Sequence, residues 1–391
     1  MNDNRLRAAL GYTRFQSVPK ILLFDTSYLM VQDVADAAED LGWTVVRLPT
    51  PKQGRGDGQF VASLLQVLVL HRPDFILTVN HLGFDSGGVL SGLLAQYGIP
   101  VASWFVDHPM PILGGADSNA TDNAQLFCFE RTAISWLEKR GYESPVFLPS
   151  ASNARYFSPH LTEARLVDKY RCEISLAANS WWYKARVEPS KQIRRKARML
   201  MSQHSNSDGA LADVLAESLQ NDDRAVFGAA QVALAEASLV RRQRFIQALS
   251  SLNVTLYGDD YWKHLVPGVA IHPYLDYHSE LPALFKGSDV NMNITSAQMP
   301  TAVNQRVWDV PAVGGFLLTD AQDDALEAFE AEVSMAFYRS FEEAASKAEY
   351  YLRHPDERVR ISQKGMEIVH RSHRMTHRLQ TMYAVMKKRF G

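Results

Sequence analysis

Two doubly wound α/β domains in tandem are the fold class this sequence predicts. Three observations carry the prediction. Short apolar runs alternate with amphipathic stretches through the first 150 residues and again from residue 254 onward. The apolar runs are nearly continuous rather than alternating with polar residues, as expected of parallel strands covered by helices on both faces. A chain of 391 residues is long for one core and suits two domains of ordinary size.

Taken in order, Ile21–Asp25 reads as the first buried strand. A helix over Val31–Leu41 sets Val31, Val34, Ala38 and Leu41 on one face and stops at Gly42. Strand Trp43–Leu48, helix Phe60–His71 and strand Phe75–Val79 follow. Helix Gly88–Tyr97 ends at Gly98 and leads into strand Val101–Val106. Strand Leu126–Phe129, helix Thr132–Arg140 and strand Val146–Leu148 extend the alternation. Near residue 160 the pattern breaks, and Cys172–Ala178 opens a second domain.

Residues 185–250 are strongly helical, with a basic run (Lys191, Arg194, Arg195, Lys196, Arg198) and the polar loop SQHSNSDG. They read as an insertion. Alternation resumes with strand Val254–Tyr257, strand Val269–His272, helix Ser279–Lys286 and strands Val290–Ile294 and Phe316–Thr319. Two helices close the chain, 342–353 and 356–388, the second carrying the apolar stripe Leu379, Met382, Tyr383 and Met386. The expected domains are 1–165, 166–365 with its insertion, and a terminal helix 366–391 packed back on the first.

Bulk properties remove several function classes. Net charge is −2, which exerts no pull toward nucleic acid or an anionic membrane. Two cysteines, Cys128 and Cys172, are too few for a disulfide framework or a thiolate metal cage. The N-terminus lacks an apolar signal core and no stretch approaches a membrane span, so a soluble, cytoplasmic protein is expected.

Two α/β domains imply a cleft, with ligands at the carboxyl ends of the strands. The strand-to-loop junctions therefore hold the candidates. WFVDHP, residues 104–109, places Asp107 just past a strand, where a carboxylate can take a proton from an incoming hydroxyl. His108 could do the same or polarise a substrate, and the bland alternatives are a capping aspartate and a solvated histidine. Asn80 and His81, after the third strand, fall at the same sheet edge and are candidate acceptor contacts. Ser27-Tyr28, after the first strand, lacks the GxGxxG fingerprint, which argues against a dehydrogenase. GRGDG at 54–58 has no Lys-Ser/Thr pair and is no phosphate loop.

In the second half, Gly258 permits a close approach to a ligand and Tyr274 could stack on a base or on the sheet. Asp259-Asp260 is more often a solvated pair than a metal site. VNQRVWDVPAVGGFLLTD, residues 303–320, reads as a short helix opening on Asn304, Gln305 and Arg306 and stopping at Gly314-Gly315 before a buried strand. Free N–H groups at such a helix start suit a phosphate or diphosphate, and an ordinary helix–strand connection fits the same segment. The basic run HRSHRMTHR, residues 370–378, reads as a solvated helix face.

These pieces in this order resemble GT-B glycosyltransferases, and most of all the CgeB-like (spore-maturation-protein-like) family. The matching segments are VTLYGDDYW, IHPYLDYHSELPALFKGSDVNMNIT, the 303–320 segment, and FYRSFEEAASKAEYYLRHPDERVRIS with the terminal helix. SWFVDHP and FERTAISWLEKRGYESPVFLPSASNARYFSP match in the first domain, leaving roughly 160–250 uncovered. The resemblance implies a GT-B-like fold and a nucleotide-sugar donor as substrate, with no resident cofactor and no metal. Its sugar would pass to a glycan, lipid or protein hydroxyl. It further implies that Gly258 and Tyr274 border the nucleotide, and that Asn304, Arg306, Gly314 and Gly315 face diphosphate or sugar.

The chain also departs from the family. Where many retaining relatives carry two glutamates, it has Thr301 and Asp309. Asp309 keeps a shorter carboxylate, directed in this reading at a ribose or sugar hydroxyl. A catalytically silent scaffold that binds a partner, and an epimerase on the same architecture, stay open as alternatives.

Overall fold

The computed structural model describes residues 3–51, 57–114, 117–203 and 224–391. Most of the GRGDG loop and of SQHSNSDG, and the middle of the 185–250 stretch, lie outside the described residues. The chain forms two compact units, one of residues 1–150 with 375–391 and one of residues 151–374.

The first unit holds a six-stranded parallel sheet: β1 Lys20–Asp25, β2 Thr44–Pro49, β3 Phe75–Val79, β4 Val101–Phe105, β5 Ala124–Cys128 and β6 Val146–Phe147. Their order is β2-β1-β3-β4-β5-β6. β3, β4 and β5 are buried at every position, which is why their sequences run apolar without alternation. One face packs Ile21, Leu23 and Phe75 against Val34 and Ala38 of the helix Met30–Asp40. The other packs Leu22, Phe24 and Ile76 against Phe60, Leu64, Leu90 and Leu94.

The second unit repeats the design with β7 Cys172–Ala177, β8 Val254–Tyr257, β9 Ile271–His272, β10 Ser288–Met292, β11 Leu317–Asp320 and β12 Ala336–Tyr338. All pair in parallel in the order β12-β11-β10-β7-β8-β9. Both sheets reverse their winding beside the first strand, between β1 and β3 and between β7 and β10. Loops leaving those strands diverge and open a crevice at the carboxyl edge. This is the doubly wound α/β fold expected for each domain.

Unit boundaries differ from the sequence reading. The first unit closes at Ser150 rather than at residue 165, because Phe157 is buried among Phe285, Trp308 and Val307 in the second. The terminal stretch is two helices, Pro355–Ser372 and Met375–Phe390, instead of one over 356–388. His373 interrupts it, stacking on Trp308 with ring centroids 4.5 Å apart. Only the second helix belongs to the first unit, where Leu379, Met382 and Met386 join the core around Phe15 and Val34. The described part of 185–250 contains the helices Lys191–Gln203 and Arg224–Ala248, and the latter buries Leu239, Phe245 and Ile246 against β7, β8 and β10.

Candidate functional site

In the first unit the β1, β3 and β4 junctions converge on Asp107. Its Oδ2 accepts from the Tyr28 hydroxyl at 2.6 Å and from the Asn80 Nδ2 at 2.8 Å. The Asn80 Oδ1 accepts from the backbone N–H groups of Val106 and Asp107, at 2.9 and 3.1 Å. Asn80 thus fixes both the loop and the carboxylate of Asp107. It does so from a left-handed backbone (φ 53°), which asparagine tolerates better than most residues. Burial, with the Asp107 carboxylate beside it, holds the Tyr28 phenol well above its ordinary range, so at neutral pH it is a donor. Both donors engage Oδ2, and Oδ1 makes no hydrogen bond to the described residues. A half-buried carboxylate fixed through one oxygen is arranged to take a proton on the other.

The two histidines of this edge serve the framework. His81 is buried, stacks on Phe84 with centroids 4.3 Å apart, and shares a 3.1 Å hydrogen bond with the Ser103 hydroxyl. His108 is buried too, and its Nδ1 accepts from the Met110 N–H at 3.4 Å, capping the helix Pro109–Leu113. His81 as an acceptor contact and His108 as a base or polariser are therefore corrected: both rings are turned into the protein. Burial pushes each pKa down to about 4.

A pH dependence follows from that shift. The unfolded chain takes up these protons near the ordinary value of about 6.5 and the folded one only near 4. Stability is full above about 6.5 and falls as the pH drops toward 4, by on the order of 3 kcal/mol per histidine at most. Melting temperatures from pH 7.5 to 4.5 should decline, with a shallower slope in His108→Asn. An equal slope in the variant would remove His108 from this account.

In the second unit the carboxyl edge around β7, β10 and β11 is a polar network. The Asn293 Oδ1 accepts from Arg306 Nε at 2.9 Å and from Asn304 Nδ2 at 2.9 Å. Asn293 in turn is held by its own Nδ2, donating to Thr319 Oγ1 at 2.9 Å, and by the Tyr338 hydroxyl on its carbonyl at 2.6 Å. Asp320, at the end of β11, accepts from Thr295 N–H and hydroxyl and lies 3.8 Å from Arg241. Arg306 is desolvated, which lowers its pKa to about 10 and leaves it charged at neutral pH. Its terminal nitrogens make no hydrogen bond to the described residues. The Asn304 Oδ1 is buried without a partner.

The glycine pair belongs elsewhere. The helix Arg306–Ala312 starts at the carboxyl edge and ends at the amino edge, where β11 begins. Gly314 (φ 78°) turns the chain there, and Gly315 packs beneath it. The expectation that both face a diphosphate is corrected by helix direction: they sit at the opposite end of β11 from Asp320. A Cβ at Gly315 would come 2.5 Å from the Phe285 carbonyl oxygen and 3.0 Å from Val310. Gly315→Ala should cost about 1–3 kcal/mol in denaturant titration, with ligand affinity of the folded protein unchanged. A selective loss of ligand affinity would return the pair to the site.

At the helix start the N–H groups one turn in are bonded within the chain. Val307 N–H returns to the Asn304 carbonyl at 3.1 Å, and those of Trp308 and Asp309 to Gln305, at 3.0 and 3.1 Å. The N–H groups of Gln305 and Arg306 make no hydrogen bond to the described residues, so they and the Arg306 side chain are what this segment can offer an anion. Asp309 is fully buried and accepts from the Tyr277 hydroxyl at 2.6 Å and Gln305 Nε2 at 3.3 Å. It anchors the helix instead of presenting a carboxylate outward to a ribose or sugar hydroxyl. At Gly258 a Cβ would lie 2.2 Å from the Ala178 oxygen and 2.7 Å from Trp262 Nε1, so packing alone demands glycine. Tyr274 is exposed, its hydroxyl 3.3 Å from Asp259 Oδ2, at the rim of an open cavity of about 540 Å³ shared with Gly258, Tyr261, His264 and Pro273.

Two residues that sequence reasoning passed over stand in these clusters. Tyr28 was visible only as a junction lacking glycine. Arg242, inside what read as a basic helical insertion, is buried and donates to the Asn179 carbonyl in the loop after β7.

Residues 241–384 match the model of a family described as glycosyl transferase-like. No curated protein matches the chain in sequence. Among solved structures it is similar to HepE of Anabaena in complex with UDP-glucose, with a TM-score of 0.56 and 13% identity over 94% of this chain and 99% of that one. It is similar also to sucrose-phosphate synthase of Thermosynechococcus elongatus, with a TM-score of 0.57 and 11% identity over 95% and 99%. At such identities the likeness is one of fold, and it spans both units.

Proposed function

We propose that this chain is a glycosyltransferase of GT-B fold that takes its sugar from a nucleoside diphosphate donor held at the carboxyl edge of the second sheet. Arg306 carries the proposal: a desolvated guanidinium, fixed through Nε by Asn293, with its terminal nitrogens uncommitted among the described residues. As the bond from the anomeric carbon to the diphosphate oxygen breaks, that oxygen keeps the electron pair. A fixed cation in a poorly hydrated site stabilises the growing charge more than water could. The guanidinium charge takes the place a divalent cation would otherwise fill, so the reaction is metal-independent in this reading. The buried Asn304 Oδ1 accepts from a sugar or ribose hydroxyl.

The first unit supplies the acceptor's base. The acceptor oxygen bonds to the anomeric carbon and its proton passes to Asp107 Oδ1, with Tyr28 and Asn80 holding the carboxylate. Tyr274, exposed at the cavity rim, borders the nucleotide. The order of motifs supports a place in the CgeB-like branch, and the acceptor is a glycan, lipid or protein hydroxyl. Nucleotide sugars are products of the cytoplasm, where this reading places the reaction.

The test is a thermal-shift screen against UDP-, GDP-, ADP- and CMP-linked sugars. At about a hundred times its dissociation constant a donor should add roughly 2.7 kcal/mol of stability. One nucleotide class should do so. Silence across all four classes would rule out a preformed donor site.

A further inference from the structure

The segment that follows β7 carries a charge that the chain as a whole does not. Residues 184–198 hold seven lysines and arginines against one acid, Glu188, while the net charge of all 391 residues is −2. The helix Lys191–Gln203 places five of those cations in 13 residues that include no acid. Its two sides differ sharply. Ala197 is buried, and Ile193, Leu200 and Met201 are partly covered, where the helix packs on Arg224–Ala248. Lys191, Arg195, Lys196, Arg198 and Met199 are exposed. Helical spacing sets Lys191, Arg195 and Met199 in one row along that outer face. Among the described residues none of the four exposed cations has an ion-pair partner, whereas Lys184 is paired with Glu188 and Arg186 with Glu236.

Beside the helix lies a cavity of about 220 Å³ in which Arg186, Arg194 and Arg198 stand over Ala197, Met201 and Val232. Glu236, the one acid on its wall, is taken by Arg186, and Arg194 spends one terminal nitrogen on the Arg186 carbonyl at 2.7 Å. Arg198 makes no hydrogen bond to the described residues. Apolar side chains are exposed among these charges: Met199 at 56%, with Tyr183 and Val187 at 48% each, one turn apart on the turn Tyr183–Val187 that precedes the helix.

A dissolved polyanion would satisfy the cations and leave Met199, Tyr183 and Val187 in water. A neutral apolar partner would do the reverse and desolvate the cations at a cost. A surface of anionic head groups over hydrocarbon meets both demands, since the charges stay at the phosphates while the apolar side chains and the lysine and arginine stems enter the layer beneath. We propose that the helix Lys191–Gln203, with the turn before it, is a docking surface for an anionic phospholipid bilayer. A lipid phosphate is held by Arg194 and Arg198 at the cavity, and Met199 enters the head-group layer. No residue of this surface belongs to the donor or acceptor site above, so it stands independently of the donor reading.

The experiment is co-sedimentation of the full chain with vesicles of phosphatidylcholine alone and of phosphatidylcholine mixed with phosphatidylglycerol. A single-stranded oligonucleotide, as a dissolved polyanion, is titrated in parallel. The proteins are wild type, the triple variant Arg195→Gln, Lys196→Gln, Arg198→Gln, and Met199→Ser. Wild type should pellet with the mixed vesicles only, and release from them as salt rises. The triple variant should bind them on the order of 100-fold more weakly, since each cation near an anionic surface contributes roughly fivefold. Met199→Ser should weaken vesicle binding several-fold through its lost apolar contact. The substituted side chains are exposed, so both variants should melt near wild type. Equal binding to the two vesicle types, or vesicle binding undiminished in either variant, would overturn the proposal. Binding of the oligonucleotide without the vesicles would also overturn it and make this a nucleic-acid surface.

Discussion

Arg306→Ala should leave a folded protein that has lost its donor. Removing a half-buried charge with no ion-pair partner among the described residues strands no carboxylate, and Asn293 Oδ1 keeps its hydrogen bond from Asn304. The melting temperature should therefore change little. Nucleotide affinity should fall by about 10–100-fold, the effect of one or two charge-assisted hydrogen bonds. Turnover should fall further, by about 10²–10³, because charge on the leaving oxygen is greater in the transition state than in the bound donor. Steady-state rates and calorimetric binding on the same preparations separate the two effects. A variant with weakened binding but unchanged kcat would make Arg306 an anchor for the ground state only. A variant unchanged in both would remove the donor site from this edge of the sheet.

What the sequence disclosed follows from how far each signal reaches along the chain. Strands such as Phe75–Val79 and Val101–Phe105 are legible because burial on both faces makes every residue apolar, a local property. Asp107 and Asn80 were legible because each directly follows such a strand at the edge where ligands bind. Tyr28 was not, since its partner lies 79 residues away and nothing near it hints at a carboxylate. Arg242 sits in the run RRQR, indistinguishable by pattern from a solvated basic face, until the fold buries it beside Asn179. The glycine pair misled for a different reason. Phosphate-binding and helix-stopping glycines look alike in sequence, and only the direction of the helix separates them. The two histidines show the same limit: a ring at a junction reads as chemistry whether it faces solvent or the core.

The cluster around Asp107 yields the second large effect. Asp107→Asn keeps a side-chain oxygen to accept from Tyr28 and Asn80, so the fold should survive with a melting temperature near that of wild type. It removes the carboxylate oxygen left open at that junction, and transfer should drop by about 10²–10⁴, the usual contribution of a positioned general base. Donor affinity should not move, because Asp107 lies in the first unit and the donor residues in the second. Tyr28→Phe gives the graded companion. The carboxylate loses one of its two donors and becomes less firmly placed, so turnover should fall several-fold with donor affinity unchanged. A purely structural Tyr28 would lower stability without lowering the turnover of the folded protein. Full activity in Asp107→Asn would mean that the acceptor proton leaves with the departing diphosphate instead, and the stereochemistry of the product would then be expected to show retention at the sugar.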